Sequence, residues 1–196
     1  MCLLKPPDIA KLKAKRDIKR LAKALRYKRS SEIPLEAIRA LAELGGPETV
    51  EPLVVALQDR REAVRLAAIE ALGQLGDARA AGPLSQVLDG DGSQTVRIAV
   101  AHALGSLART EAIQPLLKAL HTDATLAVRV AAAEALGRWG DVRVVDPLVR
   151  LANANRGELS DAAQAALVHL GETAISYLVA ILTDENRPLP DHQFAA

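Results

Sequence analysis

The chain has 196 residues, 49% of them hydrophobic but only 2% aromatic, with 25 Lys or Arg against 24 Asp or Glu. Leu, Ala, Val and Ile must carry nearly all burial, which favours helix, and a single cysteine (Cys2) rules out an internal disulfide framework or a cysteine-ligated metal centre and fits a cytoplasmic protein. No stretch approaches the ~20 apolar residues of a membrane span, and charges interrupt every apolar run after Leu4, unlike a secretory signal.

The N-terminus comes first, and it is strongly basic. The first 29 residues hold eleven Lys or Arg and two acids, Asp8 and Asp17. The cations include Lys11, Lys13, Lys15, Arg16, Lys19, Arg20 and Lys23, and beyond them Arg26, Lys28 and Arg29. Ile18, Leu21 and Leu25 recur at helical spacing, so an amphipathic basic helix is expected. It reads either as a solvated cap over the first repeat or as a surface for an acidic protein, nucleic acid or an anionic membrane. With only Tyr27 nearby, base stacking is poorly served, so any binding to phosphate would be non-specific and salt-dependent. Residues 1–16 are assigned to this cap segment, 17–185 to a repeat domain and 186–196, with Pro188 and Pro190, to a flexible tail.

Repetition then takes over. Pro-Leu recurs at Pro52-Leu53, Pro83-Leu84, Pro115-Leu116 and Pro147-Leu148. Ala-Leu-Gly ends at Gly73, Gly105 and Gly137, and Val-Arg recurs at Val64-Arg65, Val96-Arg97 and Val128-Arg129, all in one phase of about 32 residues. Degenerate copies flank these units. Ile33–Gly45 matches Val64–Gly76 with Pro34 in the Arg slot, and Leu159–Gly171 matches it with Ser160 there. The segment from Ile175 to Leu182 reads as one more first helix, with Tyr177 in the proline slot.

Each unit reads as two helices, A and B. Proline belongs in a helix's first turn, so helix A starts within a turn upstream of each Pro-Leu. Gly45, Gly76, Gly140 and Gly171 sit just past helix B, where a left-handed residue ends a helix; Ala108 departs from the pattern. Asp59 with Glu62 and Asp91 with Gln94 have capping-box spacing before helix B. At 100° per residue, Val64, Ala68, Ala71, Leu72 and Leu75 form the face toward helix A, Leu66, Glu70 and Gly73 lie opposite, and the small Ala and Gly residues are expected to let neighbouring helices approach closely. The predicted fold is an all-α solenoid of about five such hairpins plus a closing helix.

These anchors resemble the HEAT-repeat family, most closely the subtype of phycobilisome-lyase proteins. The stretches carrying the likeness are VRLAAIEALGQLGDARAAGPL (64–84), VRIAVAHALGSLA (96–108) and VRVAAAEALGRWGDVRVVDPL (128–148). The family also has an Asp six residues before the helix B Arg, matched by Asp59 and Arg65, Asp91 and Arg97, and Asp123 and Arg129. The resemblance implies that these pairs form a structural ladder between repeats, and that the B helices line the concave face of a superhelix.

That face is the candidate site. Leu35, Leu66, Ile98 and Val130 form an apolar line, with Arg39, Glu70, His102 and Glu134 beside it and Gly73, Gly105 and Gly137 as a flat floor. Such a surface suits a helix or extended peptide of a protein partner. No catalytic residue and no cofactor is assigned, and the expectation is a non-enzymatic scaffold. The alternative is a bilin lyase or chromophore-handling subunit, disfavoured by the scarcity of aromatics for a tetrapyrrole cavity. The histidines His102, His121, His169 and His192 lack ligand spacing, and none is followed by the Glu of the deoxyhypusine hydroxylase branch. Trp139 takes the slot of Leu75 and Leu107 and is assigned to the core.

Overall fold

The computed structural model describes residues 6–107, 110–154 and 157–183. Among them are twelve α-helices and no strand. The expectations for Cys2, Ala108, His192 and the tail over 186–196 lie outside these residues.

The A helices are α4 (Val50–Ala56), α6 (Ala81–Gly90), α8 (Ile113–Thr122) and α10 (Val145–Ala154). Each carries its proline as third residue, where the missing N–H has no intrahelical acceptor to lose. A 3₁₀ turn leads into each: Pro47–Thr49, Ala78–Ala80, Thr110–Ala112 and Val142–Val144. The B helices are α3 (Glu32–Leu44), α5 (Glu62–Leu75), α7 (Gln94–Leu107), α9 (Leu126–Gly137) and α11 (Glu158–Leu170). Gly76 closes α5 in the left-handed conformation with φ 66° and ψ 16°, which a Cβ would oppose.

The basic N-terminus is not the single helix expected. It forms α1 (Ile9–Ala14) and α2 (Ile18–Leu25), with Arg16 at φ 50° between them. The cause is the two acids of the segment, each of which starts a helix. The carboxylate of Asp8 accepts from the Lys11 N–H at 3.0 Å, and that of Asp17 from the Arg20 N–H at 3.0 Å. Helix α2 is the A helix of the first pair, against α3. Helix α1 packs on α2 and α3, burying Ile9 and Leu12, and its Lys13 pairs with Glu43.

The five hairpins are α2–α3, α4–α5, α6–α7, α8–α9 and α10–α11, and α12 (Glu172–Thr183) follows. One core runs from Ile9 to Ala174. Leu21, Leu53, Leu72, Leu84, Leu104, Leu116, Leu136 and Leu148 are fully buried within it, each contributing about 1.5–3 kcal/mol of transfer free energy. Successive B helices pack on one another more extensively than successive A helices do. The chain is thus two unequal layers stacked along one axis, with no repeat closed on itself. At the far end α12 leaves Ile175 and Val179 exposed.

Candidate protein-binding face and the arginine ladder

The line of Leu35, Leu66, Ile98 and Val130 lies along the B helices, each side chain half-buried and packed against the core. Each side chain packs on its neighbours and keeps part of its surface open. Arg39, Glu70 and Glu134 beside them are exposed, and His102 is half-buried. Two grooves run between neighbouring B helices. The first, of ≈ 270 Å³ between α3 and α5, is lined by Leu35, Ile38, Ala42, Ala67 and Ala71, with Arg39, Glu43, Glu70 and Gln74 at its rim. The second, of ≈ 460 Å³ between α5 and α7, has Leu66, Ile69, Gly73, Ala99 and Ala103 with Glu70, Gln74, His102 and Ser106.

The glycines do what their size predicts and let neighbouring B helices approach closely, while Gly73 also lines the second groove. A Cβ on Gly73 would meet the Ala103 Cβ at 3.3 Å, one on Gly105 the Ala135 Cβ at 2.9 Å, and one on Gly137 the Ala166 Cα at 2.6 Å. Each glycine thus receives an alanine of the next B helix. This Gly–Ala contact is what lets the B layer close up, and Gly105 and Gly137 are buried by it.

The ladder residues meet at the turns between A and B helices. Arg65 donates from Nη1 to the Asp59 carbonyl at 2.9 Å and pairs through Nε with Asp91 of the next repeat at 2.7 Å. Arg97 repeats the arrangement, with Nη1 on the Asp91 carbonyl at 2.8 Å and Nε and Nη2 on the Asp123 carboxylate at 2.8 and 3.1 Å. Arg129 donates through Nε to the Leu120 carbonyl at 3.0 Å. Its next carboxylate position, 155, is an asparagine outside the described residues.

The capping boxes are a misreading of the same acids. The residue before α5 is Arg61, not Asp59. Asp59, Asp91 and Asp123 instead accept from backbone N–H groups two residues on, those of Arg61, Ser93 and Thr125, at 2.8–2.9 Å. These Asx turns fix the chain ahead of the helix and leave carboxylate oxygens free for the neighbouring arginine. Burial pushes the Asp123 carboxyl up, but bonds from the Arg97 side chain and the Thr125 amide outweigh it and hold the group below the usual carboxylate range. At Asp59 the bond from the Arg61 side chain is the largest cause and outweighs burial, so that this carboxyl too is held low.

Two residues complete the ladder at its ends: Arg61, which sequence reasoning passed over, and Ser160, which it placed in the Arg slot without a role. Where Pro34 removes the first rung, Arg61 reaches back across the interface. It donates to the carbonyls of Leu25, Tyr27 and Ser30 at 3.3, 3.2 and 3.4 Å while gripping Asp59 through Nε and Nη2 at 2.8 Å. The signal was present as an Asp-x-Arg at 59–61, a pattern that recurs at 77–79 and 141–143, where the two residues also pair. At the other end the buried Ser160 hydroxyl donates to the Ala152 carbonyl at 2.9 Å, doing with one bond what Arg129 does one repeat earlier. Trp139 is half-buried against the core, and its indole N–H donates to the Gly105 carbonyl at 2.6 Å.

The basic residues Lys11, Lys15, Arg16, Lys19, Arg20 and Lys23 are exposed, spread over α1, the bend and α2. Among the described residues no group of three His, Cys, Asp or Glu side chains is placed to hold a metal ion, and no helix is long and apolar enough to cross a membrane.

Comparison with known proteins follows the same lines. The family described as HEAT repeats matches residues 18–105, 82–168 and 113–193. The complex of CpcE and CpcF of phycocyanin lyase from Nostoc sp. PCC7120 is 27% identical, covering 88% of this chain and 70% of that one, with a TM-score of 0.54. A designed armadillo repeat protein in complex with the peptide (KR)4 is 26% identical over 83% of this chain and 85% of that one, with a TM-score of 0.55. Human deoxyhypusine hydroxylase is 20% identical, covering 92% and 83%, with a TM-score of 0.60, and at that identity the likeness extends to the fold alone. No curated protein matches the chain in sequence.

Proposed function

From the premise that this chain belongs to the HEAT-repeat family, we propose that it is a scaffold holding a protein partner along the exposed face of its B helices. The observation that carries the reading is the pair of neighbouring grooves, between α3 and α5 and between α5 and α7, both floored by aliphatic side chains and rimmed by polar and charged ones. An apolar floor with a polar rim supplies burial for affinity and charge for orientation. The closer packing of the B layer supports it as the inner face, since a stack with unequal layers curves toward the tighter one. The designed armadillo repeat protein in complex with (KR)4 supports the reading, as a similar solenoid that binds a peptide. The test is chemical crosslinking in a native extract followed by capture with the purified protein. The crosslinked partner is expected to be lost in Leu66→Glu and in Ile98→Glu, both folded by circular dichroism. Undiminished capture by both variants removes the face from consideration.

A second reading, a subunit handling a bilin chromophore, is favoured by the 27% identity to the phycocyanin lyase complex. Its test is the absorption spectrum of a bilin mixed with the protein, with and without a phycobiliprotein apoprotein. A shifted or sharpened band supports it, and an unchanged spectrum in both mixtures defeats it.

A further inference from the structure

Resting on the reading of the B-helix face as the partner surface, we propose that it takes an extended peptide segment whose Lys or Arg pairs with Glu70 while apolar side chains on either side enter the two grooves. Glu70 is the carboxylate that both grooves share, lining the one between α3 and α5 and the one between α5 and α7. It is exposed, and among the described residues no cation pairs with it; its partner is the Gln74 side-chain amide at 3.3 Å.

The charge of the whole face points the same way. The five B helices expose eight carboxylates: Glu32, Glu36, Glu43, Glu62, Glu70, Glu134, Glu158 and Asp161. Against them stand Arg39, Lys13 of α1, which pairs with Glu43, and, one residue past α9, Arg138, so seven carboxylates remain against two arginines. The arginines of the ladder do not offset this surface, because their side chains are turned into the turns and largely buried, as at Arg65 with 16% and Arg97 with 14% exposed. An acidic wall with an apolar floor attracts a basic segment and repels an acidic one.

The spacing follows from the packing. Neighbouring helices stand about 8–10 Å apart, and a chain extended as polyproline II advances about 3.1 Å per residue with three residues per turn, so that residues i and i+3 face the same side. One groove is therefore about three residues from the next. The segment that fits reads apolar, basic, any residue, apolar, running across the B helices.

The test uses fluorescence anisotropy with the full chain and a labelled twelve-residue peptide repeating Leu-Lys-Ser. Peptides repeating Leu-Glu-Ser and Ser-Lys-Ser serve as controls. The first is expected to bind, the second not to bind, and the third to bind weakly. Glu70→Lys should weaken the first by about tenfold and Glu70→Gln by less, with helical content unchanged, and Leu66→Gln should weaken it through the floor. Failure of the Leu-Lys-Ser peptide to bind, or binding unchanged by Glu70→Lys, overturns the proposal. If the Leu-Glu-Ser peptide binds instead and Leu66→Gln abolishes it, the preference for a basic segment is wrong while the partner face stands. If the crosslinked partner ignores Leu66→Glu and Ile98→Glu, the face itself is wrong.

Discussion

Gly137 meets Ala166 so closely that a methyl group added to the glycine would lie 2.6 Å from the alanine's Cα. The equivalent approach loosens toward the N-terminus, to 2.9 Å at Gly105 and 3.3 Å at Gly73 against the alanine Cβ atoms. In a helix interior, Gly→Ala by itself gains about 0.5–1 kcal/mol from the unfolded state's lost freedom. Overpacking against backbone costs about 1–3 kcal/mol. The sum should change sign along the stack. Gly73→Ala is expected to be neutral or slightly stabilising, Gly105→Ala mildly destabilising, and Gly137→Ala destabilising by about 2 kcal/mol. Urea denaturation of the three variants checks the order. Equal effects at all three would show that the B layer yields freely and that the glycines are not its spacers.

The ladder offers a contrast between buried and exposed charge. Arg97 and Asp123 are 14% and 10% exposed, and they join two repeats through two parallel bonds. Removing one partner leaves the other's charge largely desolvated, so Arg97→Ala should cost about 3 kcal/mol. Lys118 and Asp89 also join two repeats, at 2.8 Å, but are 60% and 45% exposed. Lys118→Ala should cost at most about 0.5 kcal/mol. Replacing both ladder partners, as Arg97→Met with Asp123→Leu, is expected to recover much of the loss. The midpoints of chemical denaturation decide it, and similar midpoints for Arg97→Ala and Lys118→Ala would refute the distinction.

Arg61 binds the first hairpin to the second through the carbonyls of Leu25, Tyr27 and Ser30. In a stack where each repeat touches only its neighbours, losing such a clamp acts locally. Arg61→Ala should raise amide hydrogen exchange in α2 and α3 and leave α9 and α11 unchanged. A rise spread evenly over all five hairpins would mean that the unit of opening is the whole chain.

What could be read from the sequence was whatever repeats. The prolines, the Ala-Leu-Gly triplets and the Val-Arg pairs recur in phase, so the hairpins and the face of Val64, Ala68 and Leu72 followed from spacing alone, and those three side chains are buried. What depends on the contact between units was hidden. That Gly105 lets a neighbouring helix approach could be read from its size, but not that Ala135, 30 residues on, is what meets it. Asp59 looks like a helix cap because it stands three residues before Glu62, yet its carboxylate is turned to Arg61. The break at Arg16 was legible in principle, since Asp8 and Asp17 are the segment's only acids, but hydrophobic spacing ran through it. Leu66 and Ile98 could be placed on a face, but how much of each stays open depends on how closely the B helices stand.

Acid should loosen the stack at its turns. Asp59 and Asp123 both have carboxyls held below the usual range in the folded chain, while in the unfolded chain each titrates near about 3.9. The folded state then binds fewer protons than the unfolded state as pH falls through that interval. The stabilisation from these groups is complete above the unfolded value and is lost as pH drops through the folded one. Denaturation midpoints are expected to change little on this account between pH 7 and 5 and to fall below about pH 4. Asp123→Asn removes one of the titrating groups, so it should be less stable than the parent at pH 7 and show a shallower decline toward pH 3. Parallel curves for parent and variant would mean that the Arg97–Asp123 rung contributes nothing to acid sensitivity, and that its carboxyl is not held in the charged form by the fold.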